Sequence, residues 1–495
     1  MTGQSSMPRA WTQQVVDVAG WSEAAEQLGA GASTLVALWG EPDHVHMAVA
    51  DSSDLARMRV LSLECPQGSF PSVGRVHAPA IRLERAVTDL FGLVPIGAPD
   101  VRPWLDHGVW GIATPPGGGG RGRVLGEYEF LPVEGDNLHQ VPVGPVHAGI
   151  IEPGHFRFTA DGETIVRLEQ RLGYAHKGIE ALMRGSDLGR AAKLAGRCSG
   201  DSTVAYAWGF ASAVEMALGW EVPARAVWLR ALMAELERLA NHLGDVGAIC
   251  NDAAFAIMLA HCSVLREQVL RIAKACFGHR LMMDCIVPGG VRADIAPASA
   301  GDILPALAAI RREFAKLVLL YDKTTSLQER TVGTGIVVPG LARRFGAGGF
   351  VGRASGRMCD ARRWPGYAPY SDLVFEIPTL PEGDVNARVW IRIREIEESM
   401  RLAERIVASL AEGPVFAAPP TIDAARTGMS LIEGFRGDVF VWVRVEADGR
   451  IGRCHLRDPS WFQWPLLEAA IEGNIIADFP LCNKSFNCSY SGVDL

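Results

Sequence analysis

At 495 residues the chain exceeds what one hydrophobic core usually supports, about 250–300 residues, so more than one domain is expected. A formal charge of −8 excludes a nucleic-acid partner of the ordinary basic kind, and ten cysteines over this length exclude a disulfide-built scaffold. No apolar run reaches the roughly 18 residues needed to span a bilayer: the stretch from Ile310 to Leu320 is broken by Arg311, Arg312, Glu313 and Lys316.

In chain order, Met1 to Trp11 lacks a long apolar run, so no secretory signal is expected. Thr34 to Leu38 and Val45 to Ala50 read as short strands around the turn-rich Gly40-Glu41-Pro42-Asp43. Pro79 to Phe91 reads as a helix, although Ile81, Leu83, Ala86 and Leu90 fit a 3.6-residue period only loosely. Pro115-Pro116-Gly117-Gly118-Gly119-Gly120 reads as a flexible loop, with linker chemistry persisting through Glu134, Gly135 and Asp136. A hairpin follows: Phe156, Phe158 and Ile165 suit strands, and Asp161-Gly162 is a pair that type I′ turns favour.

The pattern then turns helical over Ser202 to Leu218, Pro223 to Cys250, Ala253 to Phe277, Ile303 to Thr324 and Ala387 to Ala411. Pro223 suits a first helical turn. A strand over Val439 to Val445 and a helix over Leu466 to Ile471 close the chain. The expected fold class is α+β: a small α/β domain over 1–135, then a mainly helical bundle over 140–495 with a β-hairpin start. Among polar positions, His176 and Glu180 stand four apart and read as a surface or capping pair. Glu235, Arg238 and His242 share a helical face and predict an interhelical polar network.

Several motifs carry a resemblance. Gly144-Pro145-Val146-His147, Ile151 through Phe158, Gly173-Tyr174-Ala175-His176-Lys177-Gly178-Ile179-Glu180, Arg238 through Leu243 and Ser355 through Asp360 occur in one order. Together they resemble the nickel–iron hydrogenase large subunit and the homologous quinone-site subunit of respiratory complex I. Earlier, Glu84-Arg85 through Asp89-Leu90-Phe91-Gly92 and Pro99-Asp100-Val101-Arg102 resemble the small peripheral complex I subunit that precedes it. Formate hydrogenlyase-type large subunits carry the same fusion. The second domain is therefore expected to be hydrogenase large-subunit-like.

Active hydrogenases of this kind hold nickel and iron with four thiolates from two Cys-x-x-Cys pairs, because soft sulfur stabilises low-valent metals. On this sequence the first pair falls on Ser199 and Ser202, the second on Ser489 and Gly492. All four thiols are missing, so no nickel–iron centre is expected. Cys198 and Cys488 each stand one residue before a lost ligand, and a one-residue shift turns a side chain away.

The resemblance implies a quinone pocket in place of the metal. It puts His155 on the first hairpin as proton donor and Asp252 as its carboxylate partner, a pairing that would raise the imidazole pKa. No tyrosine lies between Arg197 and Ser202; Tyr206 and Tyr490 are the nearest substitutes, with Cys198 a further lining residue. The resemblance also implies an NADH dehydrogenase-like oxidoreductase subunit that binds no cofactor firmly, with an iron–sulfur cluster in a partner. Its implied partners are an iron–sulfur small subunit, a ferredoxin-like subunit and antiporter-like membrane subunits. It would lie in the cytoplasm on the inner face of the membrane, attached only through partners and coupling redox to ion translocation. The alternatives are a non-catalytic scaffold between the peripheral and membrane arms, and an atypical nickel–iron hydrogenase.

Overall fold

The computed structural model describes residues 11–52, 54–108, 110, 128–135, 137–148, 151–410 and 412–494. Its first part runs β1 (Thr12–Val16), α1 (Val18–Gly29), β2 (Ser33–Gly40), β3 (His44–Asp51), β4 (Met58–Glu64) and α2 (Ile81–Phe91). The strands pair in the order β1-β4-β3-β2, with β1 parallel to β4 and the others antiparallel. Asp17 caps α1 by accepting the Gly20 N–H at 2.8 Å.

Both faces of this sheet are buried. Val45, Met47 and Val49 of β3 join Trp21, Leu28, Leu83 and Phe91 beneath α1 and α2. The intervening Ala48 and Ala50 point the other way, onto Met429, Phe440 and Trp442. The two expected strands are therefore present, each slightly longer than its apolar run, and the expected helix begins at Ile81 after a 3₁₀ turn over Ala78–Ala80. The Pro115 to Gly120 run and Asp136 lie outside the described residues.

The second part opens on the antiparallel meander β5 (Leu138–Val143), β6 (His155–Asp161) and β7 (Thr164–Arg171). Its tight turn is displaced by one residue from the expected pair. Asp161 pairs with Thr164, so Gly162 and Glu163 are the central residues, and of these Gly162 alone has positive φ. A type I′ turn needs positive φ at both.

The helices that follow include α3 (Ile179–Met183), α4 (Leu188–Ala195), α5 (Thr203–Leu218), α6 (Ala224–Asp252), α7 (Ala256–Phe277), α8 (Pro297–Lys323), α9 (Gly349–Ala354) and α10 (Val385–Ala408). Pro223 precedes the first turn of α6 rather than lying in it, and α10 ends at Ala408. Ala411, the expected end, lies outside the described residues. Among the described residues no helix is long and apolar enough to cross a membrane.

The chain closes with β8 (Arg426–Gly434), β9 (Gly437–Val445), β10 (Ile451–Arg457), α11 (Ser460–Ile471), α12 (Phe479–Phe486) and α13 (Ser491–Asp494). β8, β9 and β10 form an antiparallel sheet with α5 on one face and the N-terminal sheet on the other. The approach to α5 requires glycine at 428, where a Cβ would lie 2.1 Å from the Ala213 carbonyl oxygen. β2 is an edge strand, and arginines of β10 cover its free carbonyls: Arg457 Nε donates to Val36 O at 2.7 Å, and Arg453 Nη2 to Gly40 O at 3.3 Å.

The expected His176–Glu180 pair does not form, because the helix starts only at Ile179, after Gly178 at φ +67°, and leaves His176 outside it. Glu180 is instead buried, accepting from Arg453 Nη1 at 2.6 Å, His455 Nδ1 at 2.9 Å and the Leu456 N–H at 2.9 Å. Burial opposes its charge, but Arg453 and His455 outweigh burial and hold the carboxyl at about 2, against an ordinary 4.5. Its stabilising contribution is thus complete above pH 4.5 and is lost as pH falls through about 2. A shift of this size corresponds to about 3 kcal/mol. Glu180→Gln should therefore lower the melting temperature at neutral pH and flatten its decline on acidification. A wild-type acid limb in the variant, read by scanning fluorimetry, would contradict this.

Candidate functional site

The two segments that align with the metal-ligand pairs meet in the structure. Arg197 to Ser202 links α4 to α5, and Asn487 to Asp494 links α12 to α13 and runs through it. A directed chain of hydrogen bonds joins them. The Gly492 N–H donates to Ser489 Oγ at 3.0 Å, Ser489 Oγ to Ser199 Oγ at 3.0 Å, and Ser199 Oγ to Asp201 Oδ1 at 2.8 Å. The chain ends on the Asp201 carboxylate, which Arg436, on the turn between β8 and β9, meets from the other side. Its Nη1 donates to Asp201 Oδ1 at 2.7 Å and to Ser202 Oγ at 3.1 Å, while its Nε donates to the Asn487 carbonyl. Burial opposes ionisation of Asp201, but the Arg436 guanidinium holds its carboxyl at about 2.

A nickel–iron centre does not fit these residues. Ser199 and Ser489 already bond to each other, and Gly492 offers no side chain. A Cβ at 492 would lie 2.6 Å from Asp458 Oδ2. Cys198 is buried among Ala195, Tyr206 and Cys454, whereas Cys488 lies 3.9 Å from Gln463 Oε1 in a different cluster. Burial pushes both thiols well above their ordinary pKa, so neither is a ready thiolate ligand.

Tyr490 is brought to the His155 loop. Its ring packs on Gly154, where a Cβ would come within 2.7 Å of Tyr490 Cε1, and on Trp464 at 4.8 Å between centroids. Glu152 ties the same loop to the C-terminal segment by accepting the Ser491 N–H at 3.0 Å. Tyr206 lies behind the serine pair, donating to Asp458 Oδ2 at 2.6 Å; burial and that carboxylate raise its pKa far above normal.

His155 and Asp252 are not joined by a hydrogen bond or ion pair among the described residues. Asp252 ends α6, half-buried beside Asn251, and burial raises its pKa. Asp252 also feels the Lys484 ammonium, and Asp245, two turns earlier on α6, is hydrogen-bonded to the C-terminal segment. It accepts from Asn487 Nδ2 at 3.0 Å, Lys484 Nζ at 3.2 Å and Arg392 Nε at 3.2 Å.

His155 has cationic neighbours instead. Arg157 Nε donates to its Nε2 at 3.4 Å, and Phe130 lies 4.9 Å away. Burial, then Arg157, and more weakly Arg171, outweigh the Gly144 backbone and the Glu169 carboxylate and lower its pKa, so the ring is neutral near pH 7. Sequence reasoning missed Asp201, Arg436, Asp245 and Lys484. Asp201 lies inside the matched Arg197 to Ser202 motif, which was a usable signal; Arg436 had none.

A family model described as the 49 Kd subunit of respiratory-chain NADH dehydrogenase matches residues 252–428. Formate hydrogenlyase subunit 5 of Escherichia coli K12 is 30% identical over 446 residues, covering 88% of this chain and 78% of that protein. The chain belongs to the complex I 49-kDa and membrane-bound hydrogenase large-subunit family. It is also 30% identical over 359 residues to an NADH-quinone oxidoreductase subunit of Dehalococcoides mccartyi, covering 71% of this chain and 97% of that one. A chain in the structure of an archaeal membrane-bound sulfane sulfur reductase shares the fold, with a TM-score of 0.68 and 24% identity over 74% of this chain and all of that one. Both of these relatives are named as subunits, one of formate hydrogenlyase and one of NADH-quinone oxidoreductase.

Proposed function

We propose that this chain is the electron-transfer subunit of a membrane-bound complex of the complex I and hydrogenase type, and that the surface between His155 and the serine pair receives a quinone or another organic acceptor. An iron–sulfur partner would supply the electrons, and antiporter-like membrane subunits would couple the reduction to ion movement. The observation that carries the reading is the 3.0 Å contact between Ser199 Oγ and Ser489 Oγ, which closes the place of a metal directly beside Tyr490 and the His155 loop.

The chemistry available there suits an acceptor that gains negative charge. Arg157 and Arg171 flank His155, and fixed cations favour charge developing on a bound oxygen. A neutral imidazole would act there as a relay, taking a proton from solvent at one ring nitrogen as it gives the proton on the other to the reduced acceptor.

The test is acceptor-dependent turnover in the purified complex. His155→Ala should lower quinone-dependent activity about 100-fold, the lower range for loss of a proton-transferring group. His155→Gln, which keeps a hydrogen-bonding side chain, should retain more. Normal assembly with undiminished turnover in both variants would replace this reading with that of a scaffold.

A further inference from the structure

The two segments around the closed site are about 290 positions apart in sequence, and a ring of side chains joins them. The Gly492 N–H, Ser489, Ser199 and Asp201 form one arc. Arg436 closes it, one end of its guanidinium on Asp201 and Ser202, the other on the Asn487 carbonyl.

Further bonds hold the ring from outside. Gln463 Nε2 donates to Arg436 O at 2.8 Å, Ser460 Oγ accepts the Ser489 N–H at 2.9 Å, and Trp464 Nε1 donates to Ser489 O at 3.1 Å. Arg436 and both serines are almost wholly buried, while the Asp201 side chain is one-third exposed. The ring therefore has one wet corner, and that corner is a carboxylate.

We propose that this ring is an organic cross-link that fills the structural role a thiolate-held metal would have at this place, with Arg436 as its positioning residue. Three properties support it. The contacts are made to both segments at once by a single planar group, and a guanidinium's fixed fork suits that task where an ammonium would not. Each buried oxygen in the arc has a donor, so the ring is complete without an ion. Cysteine at 492, one of the four positions where a thiolate would be rebuilt, is blocked by Asp458. Asp458 is itself held by Tyr206 and the Ser460 N–H.

Two consequences follow. The C-terminal segment docks without metal, and the floor of the acceptor site is shaped by Arg436. The first rests on geometry alone; the second also rests on the function proposed above, so the two are read separately.

The experiment uses the full chain in its purified complex, with hydrogen exchange followed over 197–202 and 487–494. Exhaustive treatment with EDTA should leave wild-type protection unchanged. Arg436→Ala should speed exchange in both segments together by about 100-fold, since it strips the Asn487 carbonyl, Asp201 and Ser202 of their shared donor at once. Arg436→Lys should restore only part of the protection. If the alanine variant fails to accumulate, Asp201→Asn breaks the same ion pair while keeping the side-chain shape, and gives the same reading. Protection lost on chelation, or retained in both Arg436→Ala and Asp201→Asn, overturns the cross-link. For the second consequence, Arg436→Lys should raise the acceptor KM severalfold while kcat holds; an unchanged KM removes the positioning role.

Discussion

Arg353→Ala should destabilise the chain by about 3–5 kcal/mol, the range for stranding buried charge by deleting one partner. Arg353 on α9 donates from Nε to Glu395 Oε1 at 2.7 Å and from Nη1 to Glu433 Oε1 at 2.9 Å, and its Nη1 lies 3.4 Å from Asp360 Oδ2. All four side chains are buried. Arg362 joins the same cluster through Asp360 at 2.7 Å and Glu235 at 3.0 Å, Arg238 through Glu235 at 3.5 Å, and neutral His242 through Glu395 at 2.7 Å. Three guanidiniums thus face four carboxylates, Glu235, Asp360, Glu395 and Glu433. Burial and the nearby Asp360 push Glu433 up to about 7, so near neutral pH it can hold the proton that balances the cluster.

Removing Arg353 leaves carboxylates that no single proton can neutralise. Glu433→Gln copies the protonated form and should cost under about 1 kcal/mol. Thermal melts of the two variants side by side decide the matter. An Arg353→Ala protein melting within about 2 °C of wild type would show the cluster to be dispensable.

Trp39→Ala should cost a comparable amount, about 3–5 kcal/mol for a large buried aromatic. It should also give the N-terminal sheet a melting step of its own. Trp39 stacks on His455 at 4.9 Å and 12° and on His46 at 5.2 Å and 28°, with Trp442 at 5.6 Å. It thus joins β2 to the sheet of β8, β9 and β10, beside Val36 and Ala37. Its indole N–H has no hydrogen-bond partner among the described residues, so Trp39→Phe loses area without losing a bond and should be the milder change. A single cooperative transition in the alanine variant, by calorimetry, would refute the uncoupling.

The helices were legible because they are long and bounded by proline or glycine. The loss of thiolates was legible because a ligand position can be checked one residue at a time. What closes the site was not. Glu235, Arg238 and His242 announce a polar face by their spacing, but their partners at 353, 360, 362, 395 and 433 are more than a hundred positions away. β10 was missed for a physical reason: Arg453, His455 and Arg457 alternate with apolar residues as a solvent-facing set would, yet they are buried against the N-terminal sheet. No hydrogen bond or ion pair joins Asp252 to His155 among the described residues, and the sequence does not show how the end of α6 lies relative to β6.

The arginines that cover the edge of β2 carry a final implication for how the chain is put together. Arg457 on Val36 O and Arg453 on Gly40 O complete a strand that lies more than four hundred positions before them, and Arg444 Nη1 reaches Glu41 Oε2 at 2.7 Å just past its end. During synthesis that strand waits, its rim bare, until β9 and β10, some four hundred positions on, have emerged. The fused arrangement then acts as a tether that keeps an already specific mating surface close at hand, and adhesion between the halves belongs to the surfaces rather than to the peptide between them.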